Sequence, residues 1–243
     1  MRRPLSPIAF VAAACASTAA CGGTRAENAG PDSSREFAVG NFTTIEVAGP
    51  YDVHVHTGGK SAASAKGPQN ILAHMVVEVD GSTLRIHPKR GAKFGEINWG
   101  RHSPVTVEVS TQSLNAAALG GSGDMAIDRI SGSSFKGAIG GSGSLKIAAL
   151  DVGTLKFAIG GSGEIDASGK AAEAEYAVAG SGSVRNSGLD TANLTVAIAG
   201  SGDVAAHATS TAKISIMGSG DVTVTGGAKC EISKMGSGSA NCS

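Results

Sequence analysis

Apolar and polar residues alternate along most of the chain, and short Gly-Ser-Gly segments interrupt the alternation at regular intervals. The serines of these segments stand at positions 122, 142, 162, 181, 201, 219 and 237, so successive steps are 20, 20, 19, 20, 18 and 18 residues. Residues three and five positions from each serine are mostly apolar, as with Leu145, Ile147, Phe157 and Ile159. Because side chains two apart in a strand share a face, the pattern predicts a strand on each side of every corner.

A repeat of this length predicts a stack of coils. One unit of strand, corner, strand and second turn cannot bury its own apolar side, whereas units stacked in register bury a continuous column. The predicted fold class is all-β: a β-solenoid, or right-handed parallel β-helix-like stack, with coils of about 20 residues. The last unit is atypical because Lys234 stands at an otherwise apolar position. A terminal coil faces water and is expected to differ in this way.

The N-terminal third is also rich in strand patterns but lacks the Gly-Ser-Gly repeat. Four of its segments alternate clearly: Phe42–Val47, Tyr51–His56, Met75–Val79 and Thr83–His87. The Asp80-Gly81 step between the last two predicts a β-hairpin. No segment has a convincing helical period. We therefore expect an N-terminal β-strand region over residues 37–110, continuous with a repeat solenoid over 111–243.

Residues 1–20 have the features of an export signal. Arg2 and Arg3 precede an uncharged, largely apolar stretch that ends in small residues, which predicts a signal peptide over residues 1–20. Thr18-Ala19-Ala20-Cys21 resembles a bacterial lipobox, with Thr18 where leucine is usual, so Cys21 is a candidate lipidation site. The alternative is simple secretion with cleavage after Ala20. Residues 21–36 are polar and predict a flexible tether.

Composition narrows the possible functions. The chain has 36 glycines and only 4% aromatic residues, which suits tight corners and a narrow core of small side chains. Lys+Arg and Asp+Glu both number 20, which argues against an electrostatic nucleic-acid binder. Cys230 and Cys242 lie close together near the end of the chain. In an exported protein they are expected to form a disulfide, with two free thiols as the alternative.

The segment 88–104 predicts a loop that contains the only tryptophan, Trp99, among basic residues. Trp99, Arg101 and Lys93 are candidate binding residues for a glycan, a lipid headgroup or a protein partner. The alternative is that Trp99 and Phe94 anchor the loop on the wall of the solenoid.

Candidate metal and catalytic groups are weak. Acids recur two residues after several of the corner serines, but their spacing does not match the calcium-binding nonapeptide repeat. Asp52, His54 and His56 share one side of a strand, with His87 expected nearby, yet an exposed polar side is the commoner explanation. No nucleophile, base and orienting group occur in a recognisable arrangement. We expect a protein that is not an enzyme, with no metal and no cofactor.

The layout over residues 37–242 resembles the head GIN domain family, also described as putative autotransporter adhesins. The resemblance rests on Phe42–Val47, Gly67–Asn70, Asp80–Leu84 and the serial Gly-Ser-Gly corners. It implies an exported β-helix-like protein of the bacterial envelope, located in the periplasm or lipid-anchored at the outer membrane or cell surface. The expected role is to present an interaction or adhesion surface to an envelope protein or glycan, with membrane contact through Cys21 if it is acylated. Two alternatives stay open: a carbohydrate-active or carbohydrate-binding β-helix protein, and a purely structural periplasmic protein.

Overall fold

The structure is a computed structural model of the 243-residue chain and describes residues 30–89 and 105–243. It confirms the predicted β-solenoid. One helix of five residues, α1 (Gln69–Ala73), accompanies sixteen strands in the described residues. The strands are β1 (Asp32–Phe37), β2 (Thr44–Ala48), β3 (Tyr51–Thr57), β4 (Ala62–Pro68), β5 (Met75–Asp80), β6 (Thr83–Pro88), β7 (Val105–Thr111), β8 (Ala116–Gly121), β9 (Asp124–Gly141), β10 (Ser144–Gly161), β11 (Glu164–Gly180), β12 (Ser183–Gly200), β13 (Asp203–Gly218), β14 (Asp221–Thr225), β15 (Lys229–Met235) and β16 (Ser239–Cys242).

Each of the long strands β9 to β13 forms one coil of the solenoid. The strand runs along one side of the stack, here called face 1, bends, and returns along the opposite side, face 2, to the next corner. Neighbouring coils pair in parallel and in register: Leu145 pairs with Ile165 on face 1, and Ile159 pairs with Val178 on face 2. β14 and β16 extend face 1, while β15 extends face 2.

The core is a column of inward-facing side chains between the two faces. The apolar residues three positions before the first six corner serines are all buried, as the repeat predicts: Leu119, Ile139, Ile159, Val178, Ile198 and Ile216. Aromatic rings also lie in this column. The Phe157 and Tyr176 rings stack with centroids 5.7 Å apart, and Phe135 meets Phe157 edge-on. A Cβ at Gly137 would press against the Phe157 ring, so glycine makes room for that ring.

The corners need glycine for two reasons. Gly141 has a φ of +145°, in a region that L side chains rarely adopt. A Cβ at this position would also overlap the carbonyl oxygen of Gly121 in the preceding coil. That close approach allows the Ser142 N–H to donate to the Gly121 carbonyl at 2.9 Å. Glycine at each corner therefore allows the coils to stack at hydrogen-bonding distance.

The N-terminal region belongs to the same stack, but its strands are interleaved. β3 lies between β7 and β9 on face 1, and β2 lies between β6 and β8 on face 2. The turn between β2 and β3 is an additional corner, in which Gly49 has a φ of +133° and donates its N–H to the Gly120 carbonyl. This corner lacks the Gly-Ser-Gly sequence, so the repeat alone does not identify it.

Antiparallel strands and the helix close the N-terminal end. β4 pairs with β7 and β1 pairs with β4, both antiparallel, while α1 buries Ile71 and Leu72. The hairpin predicted at Asp80-Gly81 is confirmed by antiparallel pairing of β5 with β6. The tether predicted for residues 21–36 is wrong at its C-terminal end, because residues from Asp32 onward pair as β1.

The C-terminal end is fastened by the predicted disulfide. Cys230 on β15 and Cys242 on β16 are bonded, with their Cα atoms 6.7 Å apart. The bond joins face 2 to face 1 across the last coil. Lys234 lies on the inner side of β15 and is exposed, with its ammonium group 3.4 Å from the Gly238 carbonyl. A charged side chain at this position discourages another strand from adding to the open edge.

Candidate functional site

Polar side chains of three neighbouring strands meet on face 1 around His56. His56 lies on β3, and the strands on either side, β7 and β9, contribute Glu108 and Asp128. The imidazole Nε2 is 3.2 Å from a Glu108 carboxylate oxygen, and Nδ1 is 3.6 Å from an Asp128 carboxylate oxygen. We call His56, Thr57, Glu108 and Asp128 the His56 patch.

Main-chain contacts hold the patch in place. The Thr57 N–H donates to the Asp128 carboxylate at 3.0 Å, and the Thr57 hydroxyl donates to the Arg129 carbonyl at 2.8 Å. The side chains of His56, Glu108 and Asp128 remain 58%, 51% and 42% exposed. Exposed ion pairs contribute about 0–1 kcal/mol to stability. The patch is therefore better suited to contacting a polar partner than to holding the fold together.

A polar recess lies directly beyond the patch, where β3 ends. It has a volume of about 480 Å³, and its walls come from the turn after Thr57 and from two neighbouring segments. The lining residues are Val39, Asn41, Gly58, Gly59, Lys60, Ser61 and Gln112. The Ser61 hydroxyl donates to the Asn41 side-chain oxygen at 3.2 Å. Two amides, a hydroxyl and one ammonium group thus line a single depression.

The other side chains expected at this site are only partly brought together. Asp52, His54 and His56 do share the outward side of β3, as the alternation predicts. The expectation that His87 lies nearby is wrong, because the interleaving places β6 on face 2, where His87 is 3.4 Å from Glu78. Among residues 30–89 and 105–243, no three His, Cys, Asp or Glu side chains are arranged to hold a metal ion.

The acids beside the corners form a hydrogen-bonded ladder. The Asp124 carboxylate accepts the Ser144 N–H at 3.1 Å and its hydroxyl at 2.6 Å, one coil away. Asp221 accepts the same two groups of Ser239, at 2.9 Å and 2.7 Å. These bonds hold the pKa of Asp221 below its usual value. The carboxylates therefore satisfy main-chain groups of the next coil, which explains why acids and serines share this column.

At the start of the ladder, Asp52 has a different environment. Burial raises the pKa of Asp52, and the nearby Asp124 carboxylate raises it further, against the opposing effects of the Asp124 N–H and His54. The same desolvation raises the pKa of Tyr51, its neighbour at the corner, to about 12. Both shifts follow from packing at the additional corner between β2 and β3.

One row of side chains has the composition of a catalytic triad. His207 Nδ1 is 3.1 Å from the Thr225 hydroxyl, and its Nε2 is 3.7 Å from an Asp190 carboxylate oxygen. The Asp190 contact is too long for a hydrogen bond, and this aspartate is 77% exposed. A functional triad needs the carboxylate to orient the imidazole through a hydrogen bond. The Thr225 hydroxyl therefore lacks the geometry of an activated nucleophile.

Several predicted site residues lie outside the described residues, namely Cys21, Lys93, Trp99 and Arg101. Conversely, sequence reasoning missed Glu108, Asp128 and the residues of the recess. Glu108 and Asp128 occupy outward positions in alternating strands, but the order of the strands along the chain does not by itself place β3 between their two strands. In the described part of the chain, no helix is long and apolar enough to cross a membrane.

Comparison with known proteins supports the assignment of fold and family. The family model described as "Putative auto-transporter adhesin, head GIN domain" matches residues 41–228. No curated protein matches the chain.

Solved structures with the same fold come from several bacteria. A putative adhesin from Bacteroides fragilis NCTC 9343 superimposes with a TM-score of 0.82 at 22% identity, covering 88% of this chain and 97% of that one. A putative lipid binding protein from Parabacteroides distasonis ATCC 8503 gives a TM-score of 0.70 at 26% identity, with the same coverage of 88% and 97%. A putative adhesin from Parabacteroides merdae ATCC 43184 gives 0.66 at 18% identity, covering 88% and 97%.

Proposed function

Since the chain belongs to the head GIN domain family, we propose that it is a non-enzymatic protein of the bacterial envelope whose solenoid presents a surface for adhesion. The observation that carries this proposal is the His56 patch together with the adjoining recess. Both are exposed and polar, and main-chain hydrogen bonds of Thr57, Gly58 and Gly59 hold the segment that joins them. A preorganised polar surface of this kind loses little conformational entropy when a partner binds.

The partner that best fits this surface is a glycan or a polar segment of an envelope protein. The amides of Asn41 and Gln112 can each donate and accept, which suits the hydroxyl groups of a sugar. Lys60 adds a cation beside them, while Glu108 and Asp128 offer acceptors at the other end. The equal totals of basic and acidic residues, 20 each, argue against a nucleic-acid partner.

Delivery to the envelope is part of the same proposal. A signal peptide over residues 1–20 would export the chain, and acylation of Cys21 would anchor it to a membrane. The test is mass spectrometry of the mature N-terminus of the wild type and of Cys21→Ala. We expect a lipid mass on the wild type alone, and identical processing of both chains without lipid would overturn the anchor.

Two other functions receive less support from the described residues. One relative is described as a lipid binding protein, but here the interior column is filled by side chains such as Phe157 and Tyr176, both fully buried. A carbohydrate-active enzyme would need an acid and a base poised over a groove. The row containing His207 has the composition of a hydrolase triad, but its carboxylate contact is too long.

Adhesion is tested by screening the purified, exported protein against glycan arrays and against solubilised envelope proteins. The informative variant combines Lys60→Ala with Glu108→Ala, because both side chains are exposed and their removal leaves the core intact. Thr223→Ala, also exposed on face 1 but at the C-terminal end, is the matched control. We expect a ligand that the control retains and the double variant loses. A screen in which no glycan or protein is retained by the wild type contradicts the proposal.

A further inference from the structure

The outward side of face 2 has a pattern that the proposed function does not use. It includes three neighbouring columns of side chains that start on β9 with Lys136, Ala138 and Gly140 and cross the second halves of β10 to β13 and then β15. In each column, the in-register pairing sets successive residues one strand spacing apart, about 4.8 Å. We number these five rungs 1 to 5, from β10 to β15.

The two columns nearest the corners consist of small residues that end in two methionines. In the first, the residues on rungs 1 to 5 are Gly160, Ala179, Ala199, Met217 and Met235. In the second, they are Ala158, Ala177, Ala197, Ser215 and Ser233. Met217 and Met235 are 61% and 74% exposed. Two large apolar side chains thus project from one end of an otherwise flat, small-residue surface.

The third column is charged, and the order of its charges is informative. The residues on rungs 1 to 5 are Lys156, Glu175, Thr195, Lys213 and Glu231. The charges therefore run plus, minus, neutral, plus, minus. Read in reverse, the order is minus, plus, neutral, minus, plus. When the column is placed against its reversed copy, each charge therefore faces a charge of the opposite sign. A column with this property is complementary to an inverted copy of itself.

A two-fold axis that runs parallel to the strands through rung 3 produces this inversion. The axis places face 2 of one copy on face 2 of another, each column over itself, with rung 1 over rung 5 and rung 2 over rung 4. Lys156 then faces the second copy's Glu231, and Glu175 faces its Lys213. Such an arrangement is isologous, the usual form of a homodimer contact.

The same axis also matches the shapes of the small-residue columns. Met235 on rung 5 faces Gly160 on rung 1, and Met217 on rung 4 faces Ala179 on rung 2. The two projecting side chains therefore lie over the two positions that leave space for them. Ala199 on rung 3 faces its own counterpart, so the centre of the contact is flat.

Neighbouring registers lack the charge match. Moving the axis by half a rung spacing toward rung 1 places Lys156 over Lys213, and it leaves only one favourable charge pair, that of Lys136 on β9 with Glu231. An equal movement toward rung 5 places Glu175 over Glu231. Each shift juxtaposes like charges twice in the dimer, because the two-fold repeats every contact, and like charges that face each other are unfavourable.

From charge and shape together, we infer that face 2 between Lys156 and Glu231 is a docking surface for a second copy of this chain, with the two-fold axis at Thr195. Five rungs and three columns cover roughly 480 Å² per copy at these strand and residue spacings. Stable complexes bury about 800 Å² per partner. The contact is therefore a weak, concentration-dependent dimer. It is independent of the His56 patch, which lies on face 1.

Sedimentation equilibrium of the exported chain tests the dimer over about 10 µM to 1 mM, the range in which weak association is measurable. All samples carry Cys21→Ala, so that no lipid anchor contributes to association. We expect the otherwise unchanged chain to dimerise reversibly and Met217→Lys/Met235→Lys to associate at least tenfold more weakly. Thr223→Lys adds a charge to an exposed position on face 1 and should dimerise as before. A chain that stays monomeric up to 1 mM, or a Lys/Lys variant that dimerises equally well, overturns the inference.

Charge reversal tests the register separately from the surface. Glu175→Lys and Lys213→Glu should each weaken dimerisation several-fold, because each places like charges opposite one another. Combining them should restore it, since the two new side chains again face opposite charges in the second copy. The combination does not restore the pair within one chain, where Glu175 contacts Lys156. Failure of the double variant to recover dimerisation overturns the proposed register.

Discussion

The side-chain oxygen of Asn186 accepts a hydrogen bond from the main-chain N–H of Ala167, 2.9 Å away in the preceding coil. The bond lies where the pairing of β11 with β12 is interrupted. Asp166 and Gly169 are three positions apart in β11, whereas their partners Arg185 and Leu189 are four positions apart in β12. The side chain of Asn186, which is fully buried, thus supplies an acceptor where the ladder is irregular. Asn186 thus compensates for the one extra residue that β12 has at this point relative to β11.

Removing this acceptor is expected to destabilise the solenoid. In Asn186→Ala the Ala167 N–H stays buried without its partner, which costs about 1–3 kcal/mol. Asn193→Ala is the control, because Asn193 is exposed and water can replace its contact with Thr211. Chemical denaturation measures both free energies of unfolding. Equal effects of the two substitutions would show that Asn186 has no special role.

Substitution of two adjacent glycines, Gly140 and Gly141, separates the effect of coil stacking from that of turn formation. Gly141→Ala is expected to cost at least about 3 kcal/mol, because it combines an unfavourable φ with overlap on the preceding coil. Gly140→Ala should be nearly neutral, since a Cβ there meets nothing within 4 Å. Thermal melting of both variants checks the difference. If Gly141→Ala melts at the same temperature as the wild type, the corners do not limit how closely the coils stack.

The disulfide is expected to stabilise the last coil. Its loop spans 12 residues, and for a loop of this size the chain-entropy model gives about 3 kcal/mol. In Cys230→Ser/Cys242→Ser, the amides of β15 and β16 should exchange with solvent faster while those of β10 stay protected. Hydrogen exchange followed by mass spectrometry measures this difference. Uniformly faster exchange would indicate that the bond stabilises the whole stack instead.

The ladder of acids predicts a pH dependence with a definite sign. Hydrogen bonds from Ser239 lower the pKa of Asp221 from its ordinary 3.8. The resulting stability is present above that ordinary value and is lost as the pH falls through the lowered pKa of the folded state. Asp221→Asn keeps an acceptor oxygen but does not titrate there. Between about pH 6 and about pH 2.5, the melting temperature of the variant should therefore fall by less than that of the wild type.

Asp52 provides a control of opposite sign. Its pKa is raised, chiefly by burial, so the ionised form opposes folding as the pH rises above the ordinary value of 3.8. Asp52→Asn should accordingly stabilise the protein at neutral pH relative to acid. If both Asn variants shift the melting profile in the same direction, the two carboxylates do not differ as described.

How far the sequence predicts the fold differs along the chain. From Ser122 onward, the spacing of corners and apolar residues is sufficient, because each coil contacts only its neighbours in sequence. The disulfide follows for the same reason, since Cys230 and Cys242 lie in one terminal coil. In the N-terminal region, strand positions were predictable but their order was not. Insertion of β3 between β7 and β9 joins strands more than fifty residues apart.

The candidate site was less predictable than the fold for the same reason. His56 could be placed on an outward-facing strand position, but Glu108 and Asp128 reach it only through that insertion. One signal was present: Val47 and Gly49 repeat the spacing of Leu119 and Gly121, which marks an additional corner before β3. Aligning that corner with the others would have placed β3 beside β9.

The most direct test of the central claim asks whether a ligand found in the screen is bound and left unchanged. The protein, the Lys60→Ala/Glu108→Ala variant and the Thr223→Ala control are each incubated with that ligand. Calorimetry then measures binding, and mass spectrometry measures the ligand recovered. The account predicts reversible binding by the wild type and the control, loss of binding by the double variant, and a ligand of unaltered mass. A ligand recovered with a cleaved or transferred group, or binding that survives in the double variant, would contradict it.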